Sequence, residues 1–321
     1  MSMLRSVAFA AVVCVTSGLA GAQLTPERTY FGTNRPLPVK VASPAGSDAA
    51  LSIRLLDAEN QVVDRAEGVN AGNADLSALF PSLWEKGQER GVLYAQLYAG
   101  DAATGPAMVL QPMISQPYAS LDPSSGQVAW APSPRTFTGY RAYTEKNILM
   151  ATSEGDILFR MRPDHAPNTA WNFMSLAEGG FYTDIIFHRI IAKPNRFVIQ
   201  AGDPIGEGSG GPGYMVDLED SKLPHDFGVI SMARSRDPNS NGSQFFVCLS
   251  REGTRALDGR YTAFGEAISG AEAINAIADT PLSGERPINP PKIQSMKLVE
   301  AAPRGTGPGP VKDTPAQPTG R

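Results

Sequence analysis

Apolar residues recur at two different spacings along the chain. Up to about residue 118 the spacing is mostly two. Pro38-Val39-Lys40-Val41 and Leu51-Ser52-Ile53-Arg54-Leu55 alternate, and Gly91 to Ala99 carries Val92, Tyr94, Gln96 and Tyr98 on one face against Leu93, Ala95 and Leu97 on the other. Alternation interrupted by turns such as Asp57-Ala58-Glu59-Asn60 is the mark of antiparallel strands. Leu76, Leu79, Phe80 and Leu83 follow Asp75 at helical spacing, but Pro81 limits that stretch to a short turn. Residues 23–118 are therefore expected to form a small β-sandwich-like domain. It contains no His and no convergent catalytic set, so it reads as a spacer or binding module.

The second region, 143–301, mixes both periods. Strands are expected over 147–152, 156–161, 185–191, 197–201, 227–232, 243–249, 261–265 and 293–299. Ala166 to Ala177 reads as a helix, with Pro167 near its start, Trp171, Met174 and Leu176 at helical spacings, and Gly179-Gly180 as its stop. Gly270 to Ala278 is a second helix with Ile274 and Ile277 inward. Many strands, two helices and long loops favour a mostly-β antiparallel barrel over an alternating βαβ fold. Residues 119–142, rich in Pro, Ser and Gly, read as a linker, and 302–321 as a disordered tail.

Composition narrows the function classes. The net charge of −4 and the lack of a Lys/Arg-rich run argue against nucleic acid as a partner. Met1 to Ala22 has the form of a secretory signal: Arg5, then an apolar run from Val7 to Val15, then Ala20-Gly21-Ala22 as a cleavage site. Its apolar core is short for a membrane span, and no other stretch is long enough for a membrane helix. Cleavage removes Cys14 and leaves Cys248 alone, so the mature protein is expected to be exported, periplasmic or secreted, without an internal disulfide.

Gly206-Glu207-Gly208-Ser209-Gly210-Gly211 matches a dinucleotide fingerprint in form only. Pro212 and Gly213 follow it, so no helix opens there to receive a pyrophosphate, and a close-packed surface loop is the better reading. His165 and His225 are expected in solvent-facing loops, and no nucleophile elbow or metal-ligand spacing accompanies the three histidines. Arg189 stands out because Phe187, Ile191, Phe197 and Val198 around it are apolar, and a buried unpaired charge is costly. A structural ion pair with Asp184 or Asp203 is one explanation. The other is a small-ligand or peptide pocket, since Gln200 and Gln244 also place amides where alternation calls for hydrophobes. His188 falls on the opposite strand face from Arg189 if the strand is regular.

Five motifs in order then carry a resemblance. Phe187-His188-Arg189-Ile190-Ile191, Phe197-Val198-Ile199-Gln200-Ala201-Gly202-Asp203, Gly210-Gly211-Pro212-Gly213-Tyr214, Asn241-Gly242-Ser243-Gln244-Phe245-Phe246, and Leu257-Asp258-Gly259-Arg260-Tyr261 with Phe264-Gly265 resemble a cyclophilin-type peptidyl-prolyl cis-trans isomerase. The resemblance covers the second region and nothing of the first. It implies an eight-stranded antiparallel barrel capped by two α-helices and a cofactor-independent, metal-free isomerisation of X-Pro bonds in proline-containing polypeptides. By the same resemblance, Arg189, Gln200 and His188 are the catalytic set. Phe197, Val198, Phe246, Leu257 and Tyr261 form the proline pocket with Gln244 beside them, and Ala233 and Arg234 hold the residue before proline. In an exported chain this implies assistance to the folding of exported proteins. A non-catalytic proline-peptide-binding or scaffold module of the cell envelope is the alternative, against which an intact Arg189 speaks. Two departures bear on the rim. The loop Ala192-Lys193-Pro194-Asn195-Arg196 is longer than the family pattern, and Ala256 replaces a frequent Trp, which implies weakened cyclosporin binding.

Overall fold

The alternating stretches become antiparallel strand systems, which the computed structural model describes over residues 23–85 and 91–313. The expected signal segment and everything after Asp313 lie outside the described residues. In the first region, Gln23–Pro26, Pro38–Ala42 and Gly72–Asp75 make a three-stranded sheet. A six-stranded sheet runs in the order Tyr30–Gly32, Phe137–Thr144, Ala102–Ile114, Leu93–Ala99, Leu51–Leu56, Val62–Val69. Both sheets feed one apolar core, with Leu24, Val39 and Val41 from the smaller meeting Ile53, Leu55, Leu97, Leu110 and Tyr140 from the larger. Asp75 closes the smaller sheet and caps the short helix Leu76–Leu79, accepting from Ser77 N at 2.9 Å and Leu37 N at 2.8 Å.

The second region is a nine-stranded antiparallel sheet that curls around the main core. Its order is Ile185–Ile186, Lys292–Glu300, Lys146–Thr152, Gly155–Met161, Ala263–Ser269, Val229–Met232, Phe245–Cys248, Val198–Ala201, Arg189–Ile191. Only Phe187 and His188 separate its two edge strands in sequence. Helix Pro167–Glu178 packs Phe173 and Met174 into this core, and helix Ala271–Ala278 adds Ile274 and Ile277. Ala166 offers the first helix no side-chain cap. The Glu219 carboxylate takes that place, accepting from Asn168 N at 3.1 Å and Thr169 N at 2.7 Å. Among the described residues no helix is long and apolar enough to cross a membrane.

Two expectations about the connecting segments need correction. Residues 119–142 are not a free linker. Tyr118–Leu121 and Val128–Ala131 pair as a hairpin, and Phe137–Thr144 lies inside the six-stranded sheet. The Pro, Ser and Gly residues punctuate strands here: Asp122 gathers Ser124 N and Ser125 N into the hairpin turn. Nor is the tail free between Ala302 and Asp313. Arg304 donates from its backbone N to Gln96 Oε1 at 2.9 Å and from Nη1 to Glu145 Oε1 at 3.2 Å, and its guanidinium lies 3.7 Å from the centre of the Tyr94 ring. Val311 N donates to Ala267 O at 2.9 Å. The strip thus fastens the second face of the Leu93–Ala99 strand to the other region, which explains why Tyr94 and Gln96 on that face are fully buried.

Candidate active site

Register explains how a cation comes to sit on an apolar sheet. Arg189 pairs with Gln200, Gln200 with Phe246, and Phe246 with Ser231, so these four residues form one row across four strands. The neighbouring row is Ile190, Ile199, Val247 and Ile230, all completely buried in the main core. Because side chains alternate across a sheet, the Arg189 row must point to the other face. On that face a second, smaller apolar cluster gathers Val198 and Phe246 with Phe197, Ala233, Leu257 and Tyr261 against it. Phe246 meets Tyr261 edge to face at 5.7 Å.

Arg189 stands at the rim of this cluster with its side chain 42% exposed. Neither Asp184 nor Asp203 is its partner. Nε donates to Glu285 Oε2 at 2.6 Å and Nη1 to Gln200 Oε1 at 3.2 Å. The chain of amides continues: Gln200 Nε2 donates to Gln244 Oε1 at 3.1 Å, and Gln244 Nε2 to Gly210 O at 2.9 Å. Each amide has one orientation in this relay, so the guanidinium plane is fixed from two sides. Glu285 lies in the turn between the short strands Leu282–Ser283 and Arg286–Pro287, and its carbonyl accepts from Ile190 N at 2.8 Å. Sequence reading missed it. Gly284, with φ 65°, is the local sign of a turn there, but nothing local ties that turn to Arg189.

The other expected residues fall as follows. Gln244, Ala233, Arg234 and Gln200 line a hollow of about 690 Å³ next to the apolar cluster. Ala233 N donates to Gln244 O at 2.9 Å. The Arg234 guanidinium lies 4.7 Å from the Tyr261 ring centre and donates from Nε to Arg260 O at 3.1 Å, closing one end of the cluster. His188 is not joined to the relay. It is 6% exposed, and neither ring nitrogen has a hydrogen-bond partner among the described residues. Burial pushes its pKa down, so the ring is neutral. The long loop before Phe197 turns away from the rim: Arg196 O accepts from Ser250 Oγ at 2.6 Å, and Arg196 Nη2 donates to Asn275 on the second helix. Ala256 is exposed in the Arg255–Leu257 turn.

The glycine-rich loop wraps its own carboxylate. Asp203 accepts from Ile205 N at 2.8 Å and Glu207 N at 3.1 Å, and a Cβ on Gly210 would stand 2.1 Å from Asp203 Oδ1. Burial raises the Asp203 pKa, but these backbone donors outweigh it and hold the carboxyl below its usual range. An anion nest already filled from within is not a phosphate site.

His225 also differs from expectation. It is 1% exposed and lies under the pocket, stacked on Phe246 with ring centres 6.0 Å apart. Nδ1 is 2.9 Å from Asp258 Oδ1 and Nε2 is 3.0 Å from Ser231 Oγ. The order acid, imidazole, hydroxyl imitates a hydrolase triad. Ser231 is completely buried, however, so no substrate carbonyl can reach it, and the trio instead supports the floor beneath Phe246.

Comparisons with known proteins concern the second region. The model of the cyclophilin type peptidyl-prolyl cis-trans isomerase family matches residues 147–298. The peptidyl-prolyl cis-trans isomerase ppi1 of Schizosaccharomyces pombe is 41% identical over 153 residues, covering 46% of this chain and 95% of that protein. The chain belongs to the cyclophilin family. A peptidyl-prolyl cis-trans isomerase-like 1 protein of Emericella nidulans is 43% identical over 161 residues, 48% of this chain and 96% of its own. A solved Cryptosporidium parvum cyclophilin type isomerase is 35% identical, covering 48% of this chain and 98% of its own with a TM-score of 0.44. These cyclophilin matches span about half of the chain, so the first region is an addition to the shared isomerase unit.

Proposed function

We propose that this cyclophilin isomerises X-Pro bonds by holding proline on Phe197, Val198, Phe246, Leu257 and Tyr261 while Arg189 donates to the prolyl nitrogen. Resonance makes the barrier to amide rotation about 18–20 kcal/mol. In the twisted state the prolyl nitrogen regains a lone pair, so a donor aimed at it favours that state over the planar one. The observation that carries this reading is the pinning of Arg189 by Glu285 and Gln200 in the same row as Phe246. The guanidinium is thereby preorganised at the edge of an apolar surface, with Nη2 carrying no hydrogen bond among the described residues. No titrating base enters the step. Gln200 and Gln244 position, and Ala233 and Arg234 take the residue before proline.

Several finer features belong to the same reading. Ile185–Ile186 and Arg189–Ile191 count as one strand that pairs at both sheet edges, giving an eight-stranded barrel. The two sheets of the first region count as a sandwich-like module that positions the isomerase. The signal-like residues 1–22 support export and action on exported proteins, which N-terminal sequencing of the mature protein tests. For the chemistry, the test is prolyl isomerisation of a short peptide by the wild type and by Arg189→Ala. Loss of one preorganised donor is worth roughly 3 kcal/mol, or about a hundredfold in rate; equal rates would sink the mechanism.

A further inference from the structure

The loop that carries Ala233 and Arg234 continues into a turn, Ser235 to Ser240, with hollows on both sides. On one side is the 690 Å³ cavity beside Gln200 and Gln244, with Tyr214 and Met215 on its lip. On the other lies a shallower hollow of about 390 Å³ between Arg236, Asp237 and Pro238 of the turn and the hairpin strand Tyr118–Leu121. The turn is a common wall, and it is stiff. Ser235 N donates to Ser240 Oγ at 2.9 Å and Asn239 N to Asp237 Oδ1 at 2.9 Å. From behind, Asn239 Nδ2 donates to Ala119 O at 2.8 Å. Asn239 is 8% exposed and Ala119 fully buried, so the hairpin is part of the wall's foundation.

We propose that this hairpin extends the peptide-binding surface, and that the second hollow receives an apolar side chain of the same polypeptide substrate, several residues ahead of its proline. The proposal rests on the proline-site reading above, in which Ala233 and Arg234 hold the residue before proline. From there an extended chain advances about 3.3 Å per residue, and the far hollow lies across the turn that continues directly from Ala233 and Arg234. Eight large apolar residues are exposed among the described residues, and Tyr118, Tyr214 and Met215 are three of them. Single exposed hydrophobes need no explanation, but a set gathered around adjoining hollows marks a contact surface. Within the hairpin strand, Tyr118 turns outward at 57% exposure while Ala119 beside it is sealed. Arg236 and Asp237 on the lip carry opposite charges, so the surface favours an uncharged segment over an acidic or basic one.

The experiment compares two substrates on the full chain. One is a four-residue X-Pro peptide. The other carries eight further residues ahead of the same X-Pro, with Leu or Phe at positions four to six before proline. For the wild type we expect kcat/KM about fivefold higher on the long peptide, chiefly through KM, and a ratio near one for Tyr118→Ala and Tyr118→Lys. Tyr118 is exposed, so neither substitution threatens folding. A wild-type ratio near one, or a fivefold gain that survives both substitutions, would overturn this proposal while leaving the isomerase intact. Failure of the wild type to turn over either peptide would overturn the proline-site reading and this extension with it.

Discussion

Arg189 Nε lies 2.6 Å from Glu285 Oε2, a partner ninety-six positions later in the chain. The contact sits at the rim, with the two side chains 42% and 55% exposed. It holds Nε while Gln200 holds Nη1, which leaves Nη2 without a hydrogen bond among the described residues. Exposed ion pairs are worth about 0–1 kcal/mol. Glu285→Ala is therefore expected to lower kcat about threefold with little change in KM, since the loss falls on orientation in the twisted state. Glu285→Asp is expected to recover part of it. A rate that rises in Glu285→Ala would show the carboxylate to be a brake.

Acid should weaken the fold through its buried histidines. His225, His188 and His165 all have pKa values pushed below the ordinary imidazole value, in each case first by burial. The unfolded chain, near 6.5, then binds more protons than the native one as pH falls below that value. The histidines' contribution to stability is thus level above about pH 6.5 and is lost as pH drops toward their depressed native values. Urea midpoints at pH 7.5 and 5.5 should differ, with the lower at pH 5.5. His225→Asn should flatten the slope, and equal slopes for variant and wild type would refute the role given to burial at this ring.

Arg304 is 10% exposed by its side chain and Glu145 only 8%. Burial pushes the Glu145 pKa up, against the pull of Arg304 beside it. Removing one member of a buried pair strands the other, at a cost of roughly 3–5 kcal/mol. Arg304→Ala should therefore lower the denaturation midpoint sharply, while the double variant with Glu145→Leu should regain much of it. Additive losses in the double variant would mean that the pair is not what links these positions.

Cyclosporin offers a test of the rim. The exposed Ala256 presents a methyl where the family often has Trp. Ala256→Trp should tighten inhibition about tenfold or more with kcat/KM nearly unchanged. Tight inhibition of the wild type, unaltered by the substitution, would count against this account of the rim.

Much of the isomerase unit was legible because its signals are local. The helix Pro167–Glu178 announced itself by Pro167 and Gly179, and alternation placed Val198–Ala201 and Phe245–Cys248 within a residue or two. Arg189 was legible as an anomaly, a cation where the period asks for a hydrophobe. Glu285 was not, because its contact with Arg189 depends on the hairpin Leu282–Ser283 and Arg286–Pro287 reaching the edge strand Arg189–Ile191. His225 was misread for a similar reason. Pro224 and Asp226 beside it look like loop, and the burial comes from partners distant in sequence, Phe246 stacked on the ring and Ser231 and Asp258 at its nitrogens. Composition also misled at both connectors. Proline and glycine mark where strands end, and the same residues occur where chains are free, so 128–131 and 302–313 looked unstructured until their partners were present.

The strip from Ala302 to Asp313 has a further consequence, for the order of events during synthesis. Translation delivers residues at about 5–20 per second and domains fold largely as they emerge. Gln96 and Tyr94 are made some two hundred residues before Arg304, the residue that covers them. Until the strip leaves the ribosome, the first sheet presents an unsealed face to the crowded exit. The fastening follows both bodies in the chain, so a released chain cut after Glu300 would hold two folded bodies without their clasp.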